Sequence, residues 1–217
     1  GGSHKARHLF GVALHLLAHE ELGGPKQENL AIASCGNAAM GAAVVAAAMK
    51  RNLEVFVPVW ADEGVITRLD ELGASINRCE RQPGESGDPC YNRFSEAVQD
   101  GAGAFSVQGT DTPSAFDGGR TLGWELAEQV PDLDAIYIQV GGGALATAVS
   151  MALPGVRLHP VQAEGAAPLR RAWDALAPEF DFDKAEAQPD DYMTAWEDPQ
   201  SFATGILDDI TYDWIPL

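Results

Sequence analysis

Apolar and polar positions along this chain change period repeatedly, short apolar runs alternating with stripes of helical spacing. Residues 5–22 carry Leu9, Val12, Ala13, Leu16 and Leu17 on one broad face, which predicts an amphipathic helix. His4, His8, His15 and His19 fall on a narrow stripe of the same helix and predict a polar face lining solvent or a cleft. Gly23-Gly24-Pro25 ends it, by left-handed capping and a missing donor. Strand-length apolar runs then appear at 30–34, 53–59, 75–79, 104–107, 135–140 and 157–162. Helical patterns separate them at 38–49, 62–72, 91–99, 117–129 and 144–153, with a last one at 168–176. Residues 178–199 are acidic and irregular, without the glycine and spacing of a calcium loop, and read as a solvated surface excursion.

Strands alternating with helices over such connections predict right-handed βαβ units and parallel pairing, hence an α/β fold. The expected division is a lysine-bearing helix at a lobe interface (1–29), a smaller α/β lobe (30–105) and a larger α/β lobe (106–217), incomplete at its C-terminus. Two open lobes with mainly parallel sheets would leave a cleft between them.

Composition narrows the function. A formal net charge of -18 over 217 residues argues against binding nucleic acid or an anionic membrane, both of which need clustered Lys and Arg. No apolar run is long enough to span a bilayer and no signal-peptide pattern opens the chain, so a soluble, cytoplasmic protein is expected. Cys35, Cys79 and Cys90 have neither disulfide nor zinc spacing, and the histidine pairs have no dictated third ligand, so no metal is expected. The chain starts without Met in a Gly-Gly-Ser turn and stops at Trp214-Ile215-Pro216-Leu217, so a piece of a longer protein is expected.

An acidic chain must hold any anionic ligand locally, on backbone N–H groups and helix dipoles. Two turns from a strand into a helix suit that role. Gly141-Gly142-Gly143 can wrap an anion, or can simply be a tight packing turn. Ser34-Cys35-Gly36-Asn37 offers an amide side chain and a close backbone approach, or an N-cap asparagine. Cys35 has no histidine placed to activate it. Lys5 is one of four lysines and stands at a helix N-terminus, where the macrodipole favours its neutral, nucleophilic amine; the alternative is a surface cation on a frayed end.

Together these stretches resemble one family. Gly2-Ser3-His4-Lys5-Ala6-Arg7 resembles the Gly-Ser-x-Lys-x-Arg lysine motif of the tryptophan synthase β-like, fold type II pyridoxal phosphate enzymes, threonine synthase and dehydratase groups included. Ser34-Cys35-Gly36-Asn37-Ala38-Ala39-Met40-Gly41 matches its Ser-x-Gly-Asn-x-x-x-Gly motif, and Val140-Gly141-Gly142-Gly143-Ala144-Leu145 is similar to its phosphate loop, with Ala144 where a fourth glycine is usual. The order agrees as far as residues 162–165, and a weaker echo follows at Ala203-Thr204-Gly205-Ile206.

The resemblance implies pyridoxal 5'-phosphate as cofactor, in the cleft between the lobes. It implies that Lys5 forms the internal aldimine and shuttles the substrate Cα proton, and that Asn37 bonds the phenolate oxygen. The amides of Gly141, Gly142, Gly143 and Ala144 would hold the phosphate, with Ser3 or His4 assisting, and the turn of Ser34, Cys35, Gly36 and Ala38 would receive the substrate carboxylate. The residue that contacts the pyridine nitrogen cannot be identified in this chain. The implied reaction is β-elimination or β/γ-replacement on a small-molecule amino acid, in a homodimer when full length. A non-catalytic or impaired cofactor-binding α/β domain is the alternative. A nucleotide-binding module ranks below both, since the chain has neither dinucleotide fingerprint nor P-loop.

Overall fold

The structure is a computed structural model and describes residues 2–217; Gly1, the first residue of the predicted lysine-bearing segment, lies outside the described residues. Chain packing divides it into two compact units, Gly1–Gly119 and Arg120–Leu217.

In the first unit the order is α1 (Lys5–Glu21), β1 (Asn29–Ala33), α2 (Asn37–Met49), β2 (Asn52–Pro58), α3 (Glu63–Glu71), β3 (Ser75–Cys79), α4 (Pro89–Gln99) and β4 (Gly103–Ala104). The helix α5 (Ala115–Gln129) begins here, and the division falls within it. All pairings in the four-stranded sheet are parallel, in the order β3-β2-β1-β4, with Leu30 opposite Leu53 and Val55 opposite Ile76. Both faces of the sheet are covered, which is why β1 and β2 read as continuous apolar runs. Leu30, Ile32, Val55 and Val57 face Leu9 and Val12 of α1, the alanines of α2 and Leu69 of α3. Ala31, Phe56 and Cys79 face Cys90 and Phe94 of α4. Small side chains on α2 let it lie close to the sheet. Its end is sharp, because Lys50 takes a left-handed φ of 54°.

Two expectations change. The strand predicted at 104–107 is only Gly103–Ala104. The Phe105 amide still donates to the Ala31 carbonyl at 2.8 Å, but the Phe105 side chain is wholly buried as a core plug, so the chain turns inward and lateral pairing ends. The histidine stripe of α1 is not one polar face. His8 is buried with Leu9, Gly11, Val12 and Ala13, while Phe10, Leu14 and Leu17 are exposed. Backbone approach decides that rotation: a Cβ on Gly11 would come 2.6 Å from the Gly118 nitrogen, and one on Gly118 would run into the Arg7 carbonyl. Of the other stripe members, His15 is exposed and bonded to Asp117 at 2.9 Å.

The second unit continues with β5 (Ala135–Gln139), α6 (Ala144–Ala152), β6 (Arg157–Val161), α7 (Pro168–Leu176) and α8 (Phe182–Ala187). Its two strands are parallel, with Ile138 opposite Pro160, and Ile138 and Val140 pack on Leu145, Ala146 and Val149 of α6. The acidic stretch read as irregular contains α8, capped by Asp181, whose carboxylate accepts from the Lys184 amide at 3.0 Å, and anchored by buried Ala185. High acid density hid that short element. Among the described residues no helix is long and apolar enough to cross a membrane.

Because α1 meets α5 backbone to backbone, Gly118→Ala is expected to cost about 1–3 kcal/mol through overpacking. Urea denaturation would show a lower midpoint at unchanged m-value. A wild-type midpoint would contradict the close approach.

Candidate active site

The first unit brings two of the predicted motifs together. The Ser3 hydroxyl accepts the Lys5 amide at 3.2 Å and the Ser3 carbonyl accepts that of Ala6, so Ser3 closes the first turn of α1. Lys5 itself is half-buried. The fixed glycine of the second motif explains its own presence: a Cβ on Gly41 would stand 3.1 Å from Leu9 Cδ1 and 3.4 Å from the Ala6 nitrogen. So α2 meets α1 one residue past Lys5. Asn37, one helical turn before Gly41, begins α2 beside that crossing.

Asn37 is exposed and is the first helical residue, not the cap. Gly36 caps at φ -135° and has no side chain to offer, so the first amides of α2 are met by neither an intrahelical carbonyl nor a capping side chain. The turn is shaped from within, by the Ser34 hydroxyl accepting the Gly36 amide at 3.3 Å. Cys35 is half-buried, and burial, then the charge of Asp88, pushes its thiol up, away from nucleophilic use. Ala38 is buried against the core.

Two imidazoles stand close by. His4 is lowered from 6.5 to about 4 by burial and then by the Lys5 charge; His8 is lowered to about 4 by the same two causes in the same order. Both are neutral at pH 7.

The third motif lies in the second unit, in the turn from β5 to α6. Gly143 has φ +100° and precedes α6 without any side-chain cap. A Cβ there would stand 3.0 Å from Thr211 Cγ2 and 3.1 Å from the Asp213 carbonyl oxygen, and one on Gly141 would run into the Asp208 carboxylate. Ala144 needs no glycine, since outside glycine only Lys50, Phe180 and Asp198 have positive φ among the described residues. Its amide can therefore serve as a glycine's would.

The segment from Ile206 to Asp213 straps this turn, and sequence reasoning missed it. The Asp213 amide donates to the Gly142 carbonyl at 2.9 Å, and Thr147 Oγ1 donates to the Asp213 carbonyl at 2.7 Å. Gln162 Nε2 donates to Thr211 Oγ1 at 3.2 Å, while Gln162 Oε1 accepts the Leu169 amide at 2.9 Å. The only signal in the sequence was the echo at 203–206, where the structure has a 3-10 turn spanning Thr204–Ile206.

Each turn, taken within its own unit, leaves helix-start amides without a side-chain cap, which suits an anionic group of a phosphate-bearing cofactor or its substrate. The cofactor's phosphate would meet the glycine-turn amides at an uncapped helix start, and a carboxylate would meet those at the start of α2. The Asp208 carboxylate beside Gly141 opposes an anion at the glycine turn. No cluster of three or more metal-ligating side chains occurs among the described residues. An apolar groove of about 210 Å³ lined by Leu169, Trp173, Phe182 and Trp214 shares no residue with either turn.

The depressed histidines predict a pH effect. The unfolded chain takes up protons on His4 and His8 below pH 6.5 and the folded chain does so only near 4, so stability is full above 6.5 and falls as pH drops from 6.5 to 4. Urea midpoints should be lower at pH 5 than at pH 7; equal midpoints would contradict the burial of both rings. For the second unit, Asp208→Asn removes a like charge from the anion's neighbourhood and should tighten binding of inorganic phosphate several-fold, up to roughly tenfold. Unchanged or weaker binding in calorimetric titration would show that Asp208 does not bear on the turn.

The family model for pyridoxal-phosphate dependent enzymes matches residues 1–209. The chain is 30% identical over 167 residues to an L-threonine ammonia-lyase of Thermotoga maritima, covering 75% of this chain and 39% of that protein. It is 27% identical over 181 residues to a phenylserine dehydratase of Ralstonia pickettii, 82% of this chain and 52% of that one. The chain thus spans about half the length, or less, of these curated relatives. The processed form of threonine deaminase isoform 2 from Solanum lycopersicum has a similar fold, with a TM-score of 0.72 at 22% identity over 99% of this chain and 57% of that one. Maize serine racemase gives 0.73 at 19% identity over 99% and 60%. With the lysine, asparagine and glycine motifs in matching order, the chain belongs to the pyridoxal-phosphate dependent enzymes of the tryptophan synthase β-like, fold type II group.

Proposed function

We propose that the protein is a lyase or synthase that carries out β-elimination or β/γ-replacement on an amino acid, with Lys5 as its cofactor lysine. The observation that carries this reading is the crossing at Gly41, which sets Lys5 and the Asn37 turn on adjoining first turns. Eliminating relatives such as the threonine ammonia-lyase support it.

Pyridoxal phosphate supplies an aldehyde that amines attach to and a ring that accepts the electron pair left at Cα. Lys5 would hold the aldehyde carbon, Asn37 the phenolate oxygen, and the amides of Gly141, Gly142, Gly143 and Ala144 the phosphate. The α2 amides, flanked by Ser34, Cys35, Gly36 and Ala38, would orient the substrate carboxylate. Lys5 Nζ, released as a free amine, would take the Cα proton. The Ser3 hydroxyl serves the Lys5 turn, and neutral His4 adds no positive charge beside Lys5. A non-catalytic cofactor-binding domain is the second reading, favoured by the Asp208 carboxylate at the glycine turn.

The test is release of keto acid or phosphate from L-serine, L-threonine and O-phosphohomoserine with pyridoxal phosphate present. Turnover of one of them should fall roughly 100-fold or more in Lys5→Ala. No release from any of the three, with cofactor bound, would favour the second reading.

A further inference from the structure

His8 lies three residues after Lys5 and is absorbed by neither motif nor mechanism. Its side chain has no exposed surface, and its Nδ1 stands 3.0 Å from the Ala115 carbonyl oxygen. A carbonyl only accepts, so Nδ1 carries the ring proton. In the neutral ring Nε2 is then a bare lone pair. It is buried and has no hydrogen-bond partner. An open acceptor in a core is costly and needs a donor to justify it.

The surroundings narrow the choice of donor. The other titratable or charged groups of this end of α1 are His4, Lys5 and Arg7. From α2, residues 37–49 bring no ionisable side chain. From α5 come the Ala115 carbonyl, already used, and Asp117, bonded to His15; the next charged residue of that helix, Arg120, lies over the Trp124 ring and falls in the second unit. Residues three apart on a helix are neighbours, with Cβ atoms roughly 5–6 Å apart, and helical side chains lean toward the N-terminus. The His8 ring leans that way, lying edge-on to His4 with centroids 6.0 Å apart. That places it over the turn that carries Lys5. Burial, and after it the Lys5 charge, holds both rings neutral, so His8 is equipped to accept a hydrogen bond and not a proton.

We infer that His8 Nε2, unpartnered in this structure, is the hydrogen-bond acceptor to which the Lys5 amine turns, a positioning residue that steadies the ammonium formed when Lys5 takes the substrate's Cα proton. The inference rests on the reading of Lys5 given above. In the proton transfer the Cα–H bond breaks, an N–H bond forms at Nζ, and the electron pair stays with the substrate; His8 exchanges no proton. The bond to Ala115 fixes the ring so that its lone pair has one direction.

Two amide side chains separate the two ring nitrogens. Asparagine can keep a donor toward Ala115 but loses the Nε2 acceptor, whereas glutamine reaches far enough to offer an oxygen in its place. Competitive labelling of Lys5 with a small acylating reagent, on the full chain without cofactor and read by peptide mass spectrometry, gives the titration midpoint of the amine. An acceptor stabilises the ammonium, so His8→Asn should lower the midpoint and label roughly tenfold faster at pH 7, with His8→Gln close to wild type. Equal midpoints in wild type and His8→Asn would overturn the inference. Nitrogen-15 NMR of the wild-type ring supplies a second readout, independent of how the variants fold. A proton on Nδ1 is expected, and one on Nε2 would overturn the assignment. Neither readout contains cofactor, so both stand or fall separately from Lys5 as the cofactor lysine.

Discussion

The first unit depends on backbone meeting backbone. At the Gly11–Gly118 pair there is no room for a Cβ, and at Gly41 one would press on Leu9 and the Ala6 backbone, so α1 is set by α2 on one side and the start of α5 on another. Apolar burial alone would not choose that rotation, because it leaves Phe10 and Leu14 exposed and takes a histidine into the core. Close packing fixes orientation more sharply than hydrophobic area does. Its consequence is chemical: the contact of Gly41 with Leu9 and Ala6 brings the helix starts that carry Lys5 and the Asn37 turn beside one another.

A second constraint is charge. With a net charge of -18, the protein has no general field to draw in an anion. Both candidate anion positions use backbone amides at helix starts whose caps, Gly36 and Gly143, bring no side chain. A side-chain cap would satisfy the same amides and close them to a ligand. Glycine therefore does two things in this protein: it permits contact where helices cross and leaves donors open where they begin.

Much of this was legible in the sequence. Period changes located both sheets' strands and most helices, since covered parallel strands read as apolar runs and α2 as an unbroken small-residue stretch. The three motifs stood out because glycine, asparagine and lysine each have a local physical reason to be where they are. What was not legible depended on tertiary fit. His8 matched a polar stripe by period, and only the carbonyl of Ala115, over a hundred residues away, explains its burial. Phe105 matched a strand and became a plug. Asp208, Thr211 and Asp213 had no periodic signature, because a strap held by hydrogen bonds to a glycine turn needs none.

The central claim is that Lys5 carries the cofactor, and the scarcity of lysine makes it directly testable. Reduction with borohydride in the presence of pyridoxal phosphate, followed by peptide mapping, reports which of Lys5, Lys26, Lys50 and Lys184 becomes covalently labelled. The account predicts the label on Lys5 at one equivalent per chain. A label spread over the other three lysines, with Lys5 unmodified, would contradict it.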